Sequence, residues 1–157
     1  MRIPAAIACA ALVAAGCAQT PRVNVDPESG RVDVDVERVG TGETWNGSLH
    51  GMGSLTGLTG TTRVEVTDDM THAMVTLNNA GSGTYPWHVH EGECGDNGPI
   101  VGDPSSYPLL RPGADGSASA EAHLSGIELN EAKHYYVNIH ASPTDLGTIV
   151  GCGAIDD

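Results

Sequence analysis

From Trp45 to the C-terminus, no stretch of this chain sustains an apolar period of 3.6 residues. What recurs instead is short alternation of apolar and polar residues. It falls near 45–52, 61–67, 72–78, 85–91, 107–110, 117–124, 133–141 and 148–155. Turn-forming residues separate the runs: Gly57 to Gly60, Asp68-Asp69, Asn78 to Gly83, Gly113 to Gly116, Ser125-Gly126 and Ser142-Pro143. Eight short strands punctuated in this way predict an all-β, antiparallel sandwich or barrel. Successive side chains on a strand point to opposite faces. Ala73, Val75 and Leu77 therefore share a core face, as do Val64 and Val66. Ala118, Ala120, Ala122 and Leu124 form a third such face, and Tyr135, Val137, Ile139 and Ala141 a fourth. Bulk is scarce, with 4% aromatic residues and no phenylalanine. The expected core is thin, and a crosslink would matter to its stability.

The first residues read differently. Arg2 supplies a positive charge, and Ile3 to Ala15 form an apolar run too short for a stable membrane span, so residues 1–16 read as an export signal. Ala14-Ala15-Gly16-Cys17 resembles the lipobox of bacterial lipoproteins, which implies lipidation at Cys17 and a membrane-anchored protein of the cell envelope. The alternative is an ordinary secreted protein with a free Cys17. Residues 17–44 read as a tether containing Pro21, Pro27, Gly30, Gly40 and Gly42. Within it, Arg31 to Glu37 alternates strictly. It is an edge strand, a hairpin with Val23 and Val25 around Pro27 to Gly30, or a disordered spacer. Residues 45–157 remain for one domain.

The formal net charge of −13 shows no basic face for nucleic acid and disfavours long-range attraction of anions. Of the four cysteines, Cys9 lies in the signal and Cys17 is the lipid candidate. Cys94 and Cys152 remain as one pair in an oxidising compartment, where a disulfide is expected.

The segment from Tyr85 to Cys94 reads YPWHVHEGEC. On a strand, His88 and His90 share one face, about 7 Å apart, and can converge on one metal ion. All seven histidines, namely His50, His72, His88, His90, His123, His134 and His140, fall opposite the core face of their runs. Their alternative to metal binding is solvent exposure on a sheet surface. A weaker constellation is Met70, His72 and Met74, echoed by His50 and Met52, since thioether with imidazole suits copper(I). Met70 and Met74 would lie about 13 Å apart, so His72 and Met74 are the pair to consider. His123 and His134 have no partner visible in sequence.

His-Val-His-Glu-Gly-x-Cys from His88, Val-Asn-Ile-His-x-Ser from Val137, Asp145-Leu-Gly and Cys152-Gly-Ala-Ile together resemble the copper/zinc superoxide dismutase family, over about residues 45 to 157. The resemblance implies an eight-stranded Greek-key β-barrel. It also implies copper ligands at His88, His90 and His140, and a disulfide between Cys94 and Cys152. Asn138, two residues before His140 on its face, is placed to line the site. Three imidazoles on two strands independently suit copper or zinc.

The departures are specific. Gly95 to Gly116 contains no histidine, so the family's bridging imidazole and zinc ligands are missing; only Asp96, Asp103 and Asp115 could serve there. Eleven residues separate His140 from Cys152, and Ile149 stands where the family has a guiding arginine. The sequence thus implies an exported, superoxide-dismutase-like copper-binding protein with superoxide as its candidate substrate. Two other classes fit the same residues: an envelope lipoprotein that binds or delivers copper without catalysis, and a metal-free structural or interaction barrel.

Overall fold

The computed structural model describes residues 22–25, 32–35, 42–67 and 70–156. Residues 1–16, read as an export signal, and Cys17 lie outside the described residues. The chain divides into two compact units, 1–39 and 40–157. In the first, β1 (Arg22–Val25) and β2 (Val32–Asp35) pair antiparallel, Val23 opposite Val34 and Val25 opposite Val32. Of the three readings of this segment, the hairpin is the one that forms.

Among the described residues, the second unit holds seven strands: β3 (Glu43–Gly51), β4 (Thr59–Val66), β5 (Met70–Asn78), β6 (Trp87–Glu91), β7 (Ala118–Ser125), β8 (Tyr135–Ser142) and β9 (Asp145–Ile155). They form one antiparallel sheet in the order β6-β8-β9-β3-β4-β5-β7, curled into a half-barrel. The seventh and eighth runs of the sequence reading meet in a tight hairpin, with Ser142 opposite Asp145.

The expected strand at 107–110 does not form. Leu110 makes only an isolated bridge to Tyr85, and a short 3-10 turn over Pro104–Ser106 precedes it. The reason is local. Pro104 and Pro108 lack amide donors, and Asp103 caps the turn by accepting from the Ser105 amide at 2.8 Å. Seven strands therefore replace eight.

Alternation decides the interior. Val64, Ala73, Val75, Leu77, Ala122, Val137 and Ile139 are fully buried. The core is less thin than expected, because both tryptophans and all four tyrosines are buried. Trp45 packs edge-on to Tyr135 at 5.6 Å, and Trp87 to Tyr107 at 5.0 Å. Such pairs add about 0.5–1.5 kcal/mol each beyond their buried area. The β3–β9 ladder is sparse, and Gly153 is required there, since a Cβ would strike the Ser48 carbonyl. The disulfide between Cys94 and Cys152 joins the segment after β6 to β9, with Cα atoms 6.0 Å apart.

Candidate metal centre

Two paired strands bring the three histidines together. In β6, Trp87 and Val89 point into the core at 0% and 1% exposed, which turns His88 and His90 to the other face. In β8, Tyr135, Val137 and Ile139 do the same for Tyr136, Asn138 and His140. Register sets His88 opposite Asn138 and His90 opposite Tyr136. The His140 amide donates to the Pro86 carbonyl at 2.8 Å, which seats His140 beyond the start of β6. Ring centroids lie 5.0 Å apart for His88 and His140, 6.0 Å for His88 and His90, and 6.2 Å for His90 and His140.

This part of the outer face is not wet. His88, His90 and His140 are 7%, 8% and 5% exposed, so solvent exposure does not describe them. The segment after Cys94 supplies one cover. Tyr107 stands edge-on to His88 at 5.2 Å, its hydroxyl donating to the Val101 carbonyl at 2.6 Å. Tyr136 stacks on His90 at 5.1 Å, and its hydroxyl donates to the Asp96 carbonyl and accepts from the Gly98 amide. Across the β8–β9 hairpin, the Leu146 carbonyl reaches His140.

Hydrogen bonding fixes which nitrogens are free. His140 Nδ1 donates to the Leu146 carbonyl at 2.7 Å, and His90 Nδ1 to the Gly98 carbonyl at 2.9 Å. A carbonyl only accepts, so both protons sit on Nδ1 and both Nε2 atoms present lone pairs. His88 Nδ1 lies 3.0 Å from His140 Nε2. Without a metal it donates to that nitrogen; to bind one it moves its proton to Nε2. His90 Nε2 is buried with no partner. A buried unsatisfied acceptor costs about 1–3 kcal/mol, which a metal ion would offset. One nitrogen from each ring lies within 4.8 Å of the others. The three histidines could therefore hold a metal ion, and the unpartnered His90 nitrogen fits one.

Electrostatics keep the site ready. Burial, then the neighbouring rings of His140 and His90, lower the His88 pKa to about 4. Burial also lowers that of His140, against the Leu146 carbonyl, which favours its charged form. Below pH 6.5 the unfolded chain takes up a proton at His88 that the folded site refuses. The stability this residue contributes is present above pH 6.5 and is lost as pH falls toward about 4. We expect metal-free protein to lose on the order of 2–3 kcal/mol over this window, read from urea midpoints at each pH. The fall should be shallower in His88→Gln; parallel curves for the two proteins would refute the assignment.

The other candidates fall as follows. None of the remaining four histidines joins this group. Asn138 is buried, between His88 and Cys152 in the ladder. Ile149 sits opposite His140 on β9, half-buried. Asp96 accepts from the Glu93 amide and Asp115 from the Ser117 amide, each within its own turn, as Asp103 does. The Ser105 and Ser117 amides hold Asp103 and Asp115 below the usual carboxylate range. Glu91 pairs with Lys133 at 2.7 Å.

Sequence reasoning missed the two carbonyls that set the tautomers. Gly98 carries one of them, and a Cβ there would collide with the Glu91 carbonyl. In sequence, Asn97-Gly98-Pro99 signals only a turn. No family model matches the chain, and no curated protein matches it.

Proposed function

We propose that this is an exported copper-binding protein on a superoxide-dismutase-like barrel, holding copper through His88 Nδ1, His90 Nε2 and His140 Nε2. The observation that carries the reading is the buried, unpartnered Nε2 of His90, whose tautomer, like that of neighbouring His140, is fixed by a backbone carbonyl. An all-imidazole donor set suits copper, which also stands highest among the divalent first-row metals in affinity. Copper held there would supply one-electron redox chemistry.

The Greek-key reading of the fold is supported by three connections, β5 to β6, β6 to β7 and β7 to β8, that each join strands not adjacent in the sheet. Residues 100–101 run along β6 in place of an eighth strand, through a bridge between His90 and Ile100 and the Val101 amide on the Val89 carbonyl. Export and lipid anchoring rest on the leader and Cys17; the disulfide agrees with an oxidising compartment.

Binding without rapid turnover is the reading the surroundings favour. A cation beside the metal speeds the capture of superoxide by holding the anion there. Three cationic side chains occur after residue 40, and each is engaged elsewhere: Arg63 with Glu65, Arg111 with Thr84 and Lys133 with Glu91. The Ile149 side chain cannot donate. Copper-loaded protein should therefore remove superoxide far more slowly than the diffusional ceiling of about 10⁸–10⁹ M⁻¹s⁻¹. Stopped-flow decay of superoxide decides this, and a rate near the ceiling would make the protein a true dismutase.

A further inference from the structure

We infer that the outer face of β5 and β7 carries a second metal site, formed by His72, Glu121 and His123 and suited to a divalent transition metal of the zinc and copper group. It shares no residue with the three-histidine centre and does not depend on it.

The site follows from strand register. Ala73, Val75 and Ala122 are buried at 0% exposed, so their neighbours on β5 and β7 face outward. The β5–β7 ladder sets His72 directly opposite His123 and Met74 opposite Glu121. Opposed side chains on one face lie about 4.5–5.5 Å apart at Cβ, and diagonal ones are within reach of long side chains. Glu121 is diagonal to His72 and two residues from His123 on the same face. Its Oε1 accepts from His72 Nδ1 at 3.2 Å and lies 3.7 Å from His123 Nε2. The two rings meet edge-on, 4.6 Å between centroids. One ligand atom from each of the three lies within 4.8 Å of the others.

One carboxylate oxygen thus lies between two imidazole nitrogens. A dication placed among them takes a lone pair from each ring, His72 moving its proton from Nδ1 to Nε2 as it replaces that hydrogen bond, together with the carboxylate charge. Two imidazoles and one carboxylate form a recognised three-ligand set for zinc, with a fourth position left to water. Calcium and magnesium, which require oxygen ligands throughout, do not fit it. The side chains are 34%, 40% and 54% exposed for His72, Glu121 and His123, so an ion enters directly from solvent. Arg63, which shares a small pocket with His72, Met74 and Glu121, is neutralised by its own pair with Glu65 at 2.8 Å. A chain of net charge −13 concentrates cations at its surface. Met74, opposite Glu121, places a thioether beside the carboxylate without being needed for the dication.

The test is a zinc titration of the intact protein and of its His123→Ala variant by calorimetry. The variant should bind one equivalent fewer than the wild type, whether or not the three-histidine centre takes zinc as well. His123 is exposed, so the variant retains its fold, which its urea midpoint verifies. Glu121→Gln keeps the shape but removes the charge, and should lose the same equivalent. In the wild type, zinc should shift the ring resonances of His72 and His123 together and leave exposed His50 in place. Equal zinc uptake by wild type and His123→Ala overturns the inference.

Discussion

Replacing His140 with alanine should abolish copper(II) binding at the β6–β8 centre and with it the metal's contribution to stability. Wild-type protein is expected to take up copper there with a paramagnetic resonance spectrum split by several nitrogens. In His140→Ala that pattern should disappear. The variant loses the Nε2 lone pair, and it also leaves the Leu146 carbonyl without its donor. His88 Nδ1 then faces empty space where His140 Nε2 stood. Two imidazoles remain, too few to define a closed site for a metal that three would surround in the wild type. At free copper a thousandfold above the dissociation constant, binding stabilises the folded protein by about 4 kcal/mol. Copper should therefore raise the urea midpoint of the wild type strongly and that of the variant little. His140→Gln, which better fills the volume, separates loss of a ligand from loss of packing. An unchanged nitrogen spectrum in His140→Ala would place copper elsewhere, and no stoichiometric uptake by the wild type would leave a barrel kept for structure or interaction.

The second large effect concerns the crosslink. Converting Cys94 and Cys152 to serine together should cost about 4 kcal/mol in the metal-free protein. The sequence separation is 58 residues, and the chain-entropy model assigns roughly that loss to a loop of this length. Small domains have about 5–15 kcal/mol in all, so the variant should approach the unfolding threshold at physiological temperature. The consequence reaches the site. Gly98, whose carbonyl fixes the His90 tautomer, lies four residues after Cys94, and Asp96, which receives the Tyr136 hydroxyl, lies between them. Freed from β9, this segment should hold the His90 ring less firmly, and copper affinity should fall with stability. Urea denaturation with and without copper measures both. A stability loss under about 1 kcal/mol would mean the unfolded chain is already compact and the crosslink idle.

Much of the sheet was legible from period-two alternation. The inward sets of β5, β7 and β8 are fully or largely buried, as Ala73, Val75, Leu77, Ala122 and Val137 illustrate. Alternation also placed His88, His90 and His140 on outer faces. The strand expected at 107–110 was not separable from a loop, because a four-residue run with Pro108 inside it carries too few positions to show a period. The methionine constellation was read along one strand, whereas the nearest partners of His72 lie on another. His123, which had no visible partner, stands opposite His72 only because β5 pairs with β7.

Residue order alone specifies the strand-forming runs other than 107–110, the face each side chain takes and the two cysteines free to pair. These are local properties, set by the two-residue repeat of extended backbone and by turn residues within a few positions. The tertiary structure alone decided which outer faces are covered. Alternation gives His88 and His123 the same standing, yet one is buried under Tyr107 and the other lies open at 54% exposed. Coverage, tautomer and cross-strand partner depend on segments distant in sequence, on where the disulfide ties the loop after β6 and on which edges meet. Local periodicity carries no record of those placements; packing of the whole chain sets them.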